Sequence, residues 1–181
     1  MEVYLVRHTT PDIAKGICYG QSDIPLAKTF LDESKTVLAE LPDSVDMVYS
    51  SPLQRCFELA QLIPHQKMEQ HAHLMEMDFG DWEMKPWSGI PKHELDPWME
   101  DFVNHQVPNG ESMTMLSYRV NQWYKELLTT SCKKVAVVTH AGPIRVILSI
   151  VNQTPLALAF EQYPINYGQV IALDSRILNN Y

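Results

Sequence analysis

The residues of this chain that are able to do chemistry arrive at the ends of apolar runs. Val3-Tyr4-Leu5-Val6 is a strand-like segment that ends in Arg7-His8, and Lys134-Val135-Ala136-Val137-Val138 is a second one that ends in Thr139-His140-Ala141-Gly142. A guanidinium and an imidazole at the mouth of a buried strand are costly unless a partner meets them, and a bound anion is such a partner. A third run, Asp46-Met47-Val48-Tyr49, leads into Ser50-Ser51-Pro52-Leu53-Gln54-Arg55. This puts a second arginine in the first turn of a helix, where unpaired backbone N–H groups and the dipole also favour an anion. Arg7 and Arg55 matching the oxygens of a tetrahedral anion, with His8 and His140 between them, describe a phosphate pocket.

The chemistry follows from that grouping. A neutral imidazole nitrogen aimed at phosphorus acts as a nucleophile while nearby cations neutralise the phosphoryl oxygens. His8 is assigned that role, with its other ring nitrogen held by a hydrogen bond, a backbone carbonyl being the expected holder. His140 stays as a ligand to phosphoryl oxygen. The leaving alkoxide needs a proton, and the same acid can later deprotonate water. Glu76, Asp78, Asp81 and Glu83 crowd one loop and are the candidates. Taken singly, either histidine could be a satisfied structural residue and Arg55 a surface helix residue; their matched positions at strand ends favour a site.

Strand and helix signals alternate along the chain and must place these groups. A Pro-, Gly- and Asp-rich loop over 8–25 is followed by a helix over 27–41, which Pro42-Asp43-Ser44 breaks. After the strand at 46–49, Ser51-Pro52 reads as an N-cap and first-turn proline for a helix reaching residue 63. Residues 68–74 read as a strand, and a Trp-, Pro- and Met-rich stretch over 79–110 as an inserted loop with a short helix. The clearest helix covers 111–128, with Leu116, Val120, Trp123 and Leu127 on one side and Glu111-Ser112 read as its cap first, and as facing the site second. A helix opened by Gly142-Pro143 and a last strand over 167–173 complete the pattern. This alternation predicts an α/β three-layer sandwich, a mostly parallel central sheet with helices on both faces, as one domain over 1–181 with an insertion at about 84–110. Ligands of such sheets bind outside the carboxyl ends of the strands, where His8, Arg55 and His140 all fall.

Composition narrows the partners. At 181 residues and 45% hydrophobic, the chain can bury a real core. A net charge of -8 argues against sequence-independent binding to nucleic acid or to an anionic membrane. Cys18, Cys56 and Cys132 are odd in number and widely spaced, so reduced thiols in a cytoplasm are expected. Cys18 near the pocket reads as an unactivated thiol. No signal-peptide pattern opens the chain, and no apolar run approaches the length of a membrane span. His71-Ala72-His73 raises a metal hypothesis, because on a strand both imidazoles would share a face, but the sequence offers no third ligand. The expectation is therefore no metal and no cofactor.

Taken together, Arg7-His8, Ser50-Ser51-Pro52-Leu53-Gln54-Arg55, Leu74-Met75-Glu76-Met77-Asp78-Phe79-Gly80-Asp81-Trp82-Glu83, Pro108-Asn109-Gly110-Glu111-Ser112 and Thr139-His140-Ala141-Gly142 resemble the histidine phosphatase superfamily, the phosphoglycerate mutase-like group. The resemblance covers nearly the whole chain in order. It implies a phosphohistidine at His8, phosphate contacts from Arg7, Arg55 and His140, Glu76 as proton donor, and no metal. Within the superfamily, Cys18-Tyr19-Gly20-Gln21-Ser22-Asp23-Ile24-Pro25-Leu26 and the short length resemble the alpha-ribazole phosphatases of cobalamin nucleotide-loop assembly, which implies alpha-ribazole 5'-phosphate as substrate, with Gln21 and Ser22 at it.

Two departures stand out. Members commonly read Arg-His-Gly-Glu where this chain has Arg7-His8-Thr9-Thr10, so Thr9 crowds or hydrogen-bonds beside the nucleophile. Trp82-Glu83 is followed by Met84 where the family tends to have Gly. Residues 84–105, with Trp87 and Trp98, could form a lid whose rings suit a benzimidazole-like base, although Trp82, Trp87 and Trp98 also read as core or loop anchors. The runner-up activities are a phosphoglycerate mutase or a broad-specificity phosphatase of small metabolites. A non-catalytic phosphate-sensing or protein-binding module is the alternative of another class. The oligomeric state is open.

Overall fold

Alternating apolar positions in the strands divide the core into two layers. In the computed structural model, which describes residues 1–173, β1 (Glu2–Arg7) is followed by α1 (Phe30–Ala39), β2 (Val45–Ser50), α2 (Gln54–Leu62) and β3 (His65–Gln70). α3 (Lys92–Glu100), α4 (Met113–Leu128), β4 (Lys134–Thr139), α5 (Ala141–Asn152), α6 (Ala159–Gln162) and β5 (Val170–Leu173) complete the order. Residues 174–181, part of the expected domain, lie outside the described residues. The sheet runs β3-β2-β4-β1-β5, with the first four strands parallel and β5 antiparallel to β1. Val3, Leu5, Val135 and Val137 pack with Leu116, Val120, Trp123, Ile144 and Ile147 of α4 and α5. Val6, Ala136 and Val138 pack in a second cluster with Val37 of α1 and Cys56, Leu59 and Ala60 of α2. The period of two along each strand thus feeds two helical layers.

Three expected boundaries move. The strand expected over 68–74 is β3, three residues earlier. Its sequence, His-Gln-Lys-Met-Glu-Gln, is that of a largely exposed edge strand and carries no apolar alternation. The shared-face premise for His71 and His73 goes with it, because residues 72–74 form a 3-10 turn and His71 packs edge-on against Tyr49. Among the described residues no three His, Cys, Asp or Glu side chains group to hold a metal ion. Ser51 does not cap α2, which starts after Leu53 without a side-chain cap bond. The last strand starts at Val170, because Tyr167 and Gly168 turn first, with Gly168 at φ +68°. The insertion does contain a helix, α3, and buries Ile90, Trp98 and Val107 in the larger core cluster. Among the described residues no helix is long and apolar enough to cross a membrane.

Candidate active site

β1 and β4 pair in parallel with Arg7 opposite Thr139, so the next residue of each strand, His8 and His140, emerges beside the other. The His8 amide donates to the Thr139 carbonyl at 3.0 Å, and the two ring centroids stand 5.1 Å apart. Both side chains are buried. His8 Nδ1 lies 2.7 Å from the Thr9 carbonyl oxygen. A carbonyl can only accept, so Nδ1 carries the proton and the Nε2 lone pair is left for an electrophile. His140 Nε2 meets Ser51 Oγ at 2.8 Å, which is where the hydroxyl expected to cap α2 is engaged. Burial, reinforced by the charges of Arg55 and Arg7, holds His8 well below 6.5. Burial also holds His140 low, with His8, Arg55 and Arg7 adding to it. Both imidazoles are therefore neutral at neutral pH, the form a nucleophile requires.

The guanidiniums are held from behind. Arg7 Nη1 donates to the Ile165 carbonyl at 2.7 Å, and its plane lies 3.8 Å from the centre of the Tyr167 ring. Arg55 is fully buried and donates from Nη1 to the Ser22 carbonyl at 2.8 Å and from Nη2 to the Gly20 carbonyl. The Nε–H groups of both arginines are buried without a hydrogen-bond partner, and neither side chain forms a salt bridge among the described residues. A buried cation with an unmet donor is unfavourable until an anion arrives. Gln21 and Ser22, expected at the substrate, do not line the cavity. Gln21 Nε2 donates to the Glu76 carbonyl and Ser22 offers its own carbonyl to Arg55, so both stand behind the groups that face it.

The four candidate acids separate by which of them reaches the cavity. Asp78 accepts from the Gly80 amide, and Asp81 from the Asn109 side chain. Glu83 accepts from the amides of Gly20, Gln21, Ser22 and Phe79. Burial raises its pKa, but these bonds outweigh burial and hold it below the ordinary 4.5. Of the four, Glu76 alone lines the cavity. Its Oε1 accepts from the Met77 amide at 2.9 Å and its Oε2 from the Gly142 amide at 3.1 Å, at the N-terminus of α5.

Sequence reading missed two arginines and misjudged one acid. Arg119 of α4 donates from Nη1 to the carbonyls of His73 and Met75, and from Nη2 to that of Glu76, all at 2.8 Å. The same guanidinium grips Glu111 through Nε and Nη2, at 2.8 and 2.9 Å. Glu111 also accepts from the Asp78 amide, while Ser112 caps α4 by accepting from Met115. The segment carrying Glu76 is thus stapled to α4. An acid just ahead of α4 and a base within it, eight residues on, is the available signal. Arg145, on α5, lines the cavity with no sequence motif to mark it.

The cavity measures about 250 Å³, a volume for a small molecule. Arg7, His8, Arg55, Glu76, His140 and Arg145 share its wall with Tyr19, Trp87, Trp98, Phe102, Phe160 and Tyr167. The hydroxyls of Tyr19 and Tyr167 meet at 2.6 Å. Trp82 is core instead, fully buried and donating to Glu94. Thr9 is buried with its hydroxyl unpartnered, and the Thr10 amide donates to Glu33.

Comparison with known proteins gives the chain its family. The Histidine phosphatase superfamily (branch 1) model matches residues 3–176. An adenosylcobalamin/alpha-ribazole phosphatase of Salmonella typhimurium is 29% identical over 167 residues, 87% of this chain and 82% of that one. Phosphoserine phosphatase 1 of Hydrogenobacter thermophilus is 27% identical over 154 residues, 80% of this chain and 73% of that one. The alpha-ribazole phosphatase structure from Shigella flexneri superposes with a TM-score of 0.83 at 23% identity, covering 96% of this chain and 90% of that chain, a likeness of fold. The family match spans every cavity-wall residue named above, and the chain belongs to the histidine phosphatase superfamily (branch 1), as a phosphatase.

Proposed function

We propose that the chain is a metal-independent phosphomonoesterase for a small phosphorylated metabolite, alpha-ribazole 5'-phosphate in particular. His8 Nε2 attacks phosphorus, the ester P–O bond breaks, and Glu76 gives its proton to the departing alcohol. Water then attacks the phosphohistidine, Glu76 takes a proton from it, and inorganic phosphate leaves with His8 neutral again. Arg7, Arg55 and His140 hold the phosphoryl oxygens, and guanidiniums supply the positive charge that the transferring group needs. The observation that carries this reading is the His8 ring: its Nδ1 is committed to the Thr9 carbonyl, its Nε2 has no hydrogen bond among the described residues, and two guanidiniums with unpartnered Nε–H groups share the cavity wall with it. A phosphate-sensing module has no need of a free nucleophile with a proton donor beside it.

The substrate assignment draws support from the relative named for alpha-ribazole and from the rings of Trp87, Trp98 and Phe102 in the cavity wall. The segment 84–110 serves as that wall within one domain. The free thiols suit a cytoplasmic enzyme. A phosphoserine phosphatase is the second reading, favoured by the Hydrogenobacter relative. The test has two parts. Labelled substrate quenched at neutral pH should leave an acid-labile phosphoenzyme that His8→Ala does not form. A panel of alpha-ribazole 5'-phosphate, O-phosphoserine and the phosphoglycerates should then rank the first highest by kcat/KM. No labelled protein, or full turnover by His8→Ala, would refute the covalent route.

A further inference from the structure

Arg145 is a third guanidinium of the cavity wall, and among the described residues it forms no salt bridge with a carboxylate. Its Nε donates to the Tyr163 carbonyl at 3.1 Å and its plane lies over the Phe160 ring, 4.4 Å from the centroid. Phe160 in turn meets Phe102 edge-on, so Arg145 is anchored on the aromatic wall. Its terminal nitrogens have no hydrogen bond and no salt bridge among the described residues, yet the side chain lines the cavity. Burial lowers its pKa, Glu76 opposes that and Arg7 adds to it. Arg145 shares the cavity wall with Glu76, the proposed proton donor, and with the rings of Trp87, Trp98 and Phe102.

We propose that Arg145 determines specificity by donating from its free terminal nitrogens to a hydrogen-bond acceptor on the leaving alcohol, the in-plane nitrogen of an aromatic heterocycle whose faces lie against the ring-lined wall. This rests on the proposed phosphomonoesterase function and adds which part of the substrate is read and by what. A fork of charged donors suits an acceptor lying in a ring plane, and a heterocycle offers the area that Trp87, Trp98 and Phe102 can cover.

The experiment compares wild type with Arg145→Met on four esters: phenyl phosphate, alpha-ribazole 5'-phosphate, its analogue with the free ring nitrogen replaced by C–H, and O-phosphoserine. A charge-assisted hydrogen bond predicts that Arg145→Met loses about 10- to 100-fold in kcat/KM on alpha-ribazole 5'-phosphate, mostly through KM. Phenyl phosphate, which carries no such acceptor, should change less than about twofold, and this also certifies the fold of the variant. Wild type should lose a similar factor on the C–H analogue, and Arg145→Met should lose nothing further there. An equal loss on phenyl phosphate would assign Arg145 to the phosphoryl group and overturn the proposal. A loss greatest on O-phosphoserine would make the acceptor a carboxylate and overturn the heterocycle. If wild type forms no phosphohistidine, the proposed function itself fails, which the four-ester comparison does not measure.

Discussion

Glu76 and Gly142 share one small volume. The carboxylate accepts from the Gly142 amide at 3.1 Å, and a Cβ on residue 142 would collide with its Oε1 while pressing on Leu116. Gly142 lies in a helix with ordinary φ, so the requirement is one of space and not of backbone freedom. Gly142→Ala should push the carboxylate aside and lower kcat by about 10- to 100-fold, within the range a general acid contributes. The loss should shrink for p-nitrophenyl phosphate, whose leaving group departs without a proton. Equal losses on both esters would detach Gly142 from proton transfer.

Arg119 supports the same carboxylate from the other side by holding the carbonyls of residues 73, 75 and 76. Arg119→Lys keeps a charge but has a single nitrogen for work now shared among three. The variant should lower kcat more than KM, by about tenfold, and lose about 1–3 kcal/mol of stability in urea titrations. Glu111→Gln should lose less, and the double variant less than the sum, because the pair acts as one staple. Additive losses in that cycle would show that the two residues act separately.

These two supports also mark where sequence reading stops. Val3, Leu5, Val135 and Val137 alternate with their neighbours, so β1 and β4 were legible, and with them the positions of Arg7, His8 and His140 at one sheet edge. Residue type alone left Glu76 as one acid among four; the family resemblance singled it out, and of the four it alone lines the cavity. β3 was displaced because an exposed edge strand can be polar on both faces. Arg119, Gln21 and Ser22 act through backbone carbonyls, and every residue has one, so no residue type announces which will be used. Arg145 became visible only when α5 was placed against α6, whose Phe160 carries it.

The buried imidazoles make stability depend on pH. His8 and His140 are both held below 6.5 in the fold, chiefly by burial, so the unfolded chain takes up protons that the folded chain refuses. Stability therefore rises with pH across this window and is lost as pH falls below about 6.5, each histidine contributing up to about 1.4 kcal/mol per pH unit. Urea unfolding of wild type between pH 7 and 5 should show this slope, and His8→Asn and His140→Asn should each flatten it. A slope unchanged in both variants would mean that the imidazoles protonate freely within the fold.

Glu83 and Arg55 grip opposite sides of the tripeptide Gly20-Gln21-Ser22: the carboxylate takes its amides, and the guanidinium takes the carbonyls of Gly20 and Ser22. Arg55 can present its unpaired Nε to an anion only while that loop stays fixed, so Glu83 bears on the proposed phosphate site without lining the cavity. Glu83→Gln keeps the shape but leaves one oxygen where two accepted. Substrate KM and the inhibition constant for inorganic phosphate should both rise by about 5- to 20-fold, the scale of one charge-assisted hydrogen bond, with kcat less affected. Asp81→Asn, on the same loop and among the described residues held through its side chain by Asn109 alone, should leave both constants near wild type. If Glu83→Gln lowers kcat as Glu76→Gln does while phosphate inhibition stays unchanged, the second carboxylate belongs to the proton path, and the loop clamp is not what fixes Arg55.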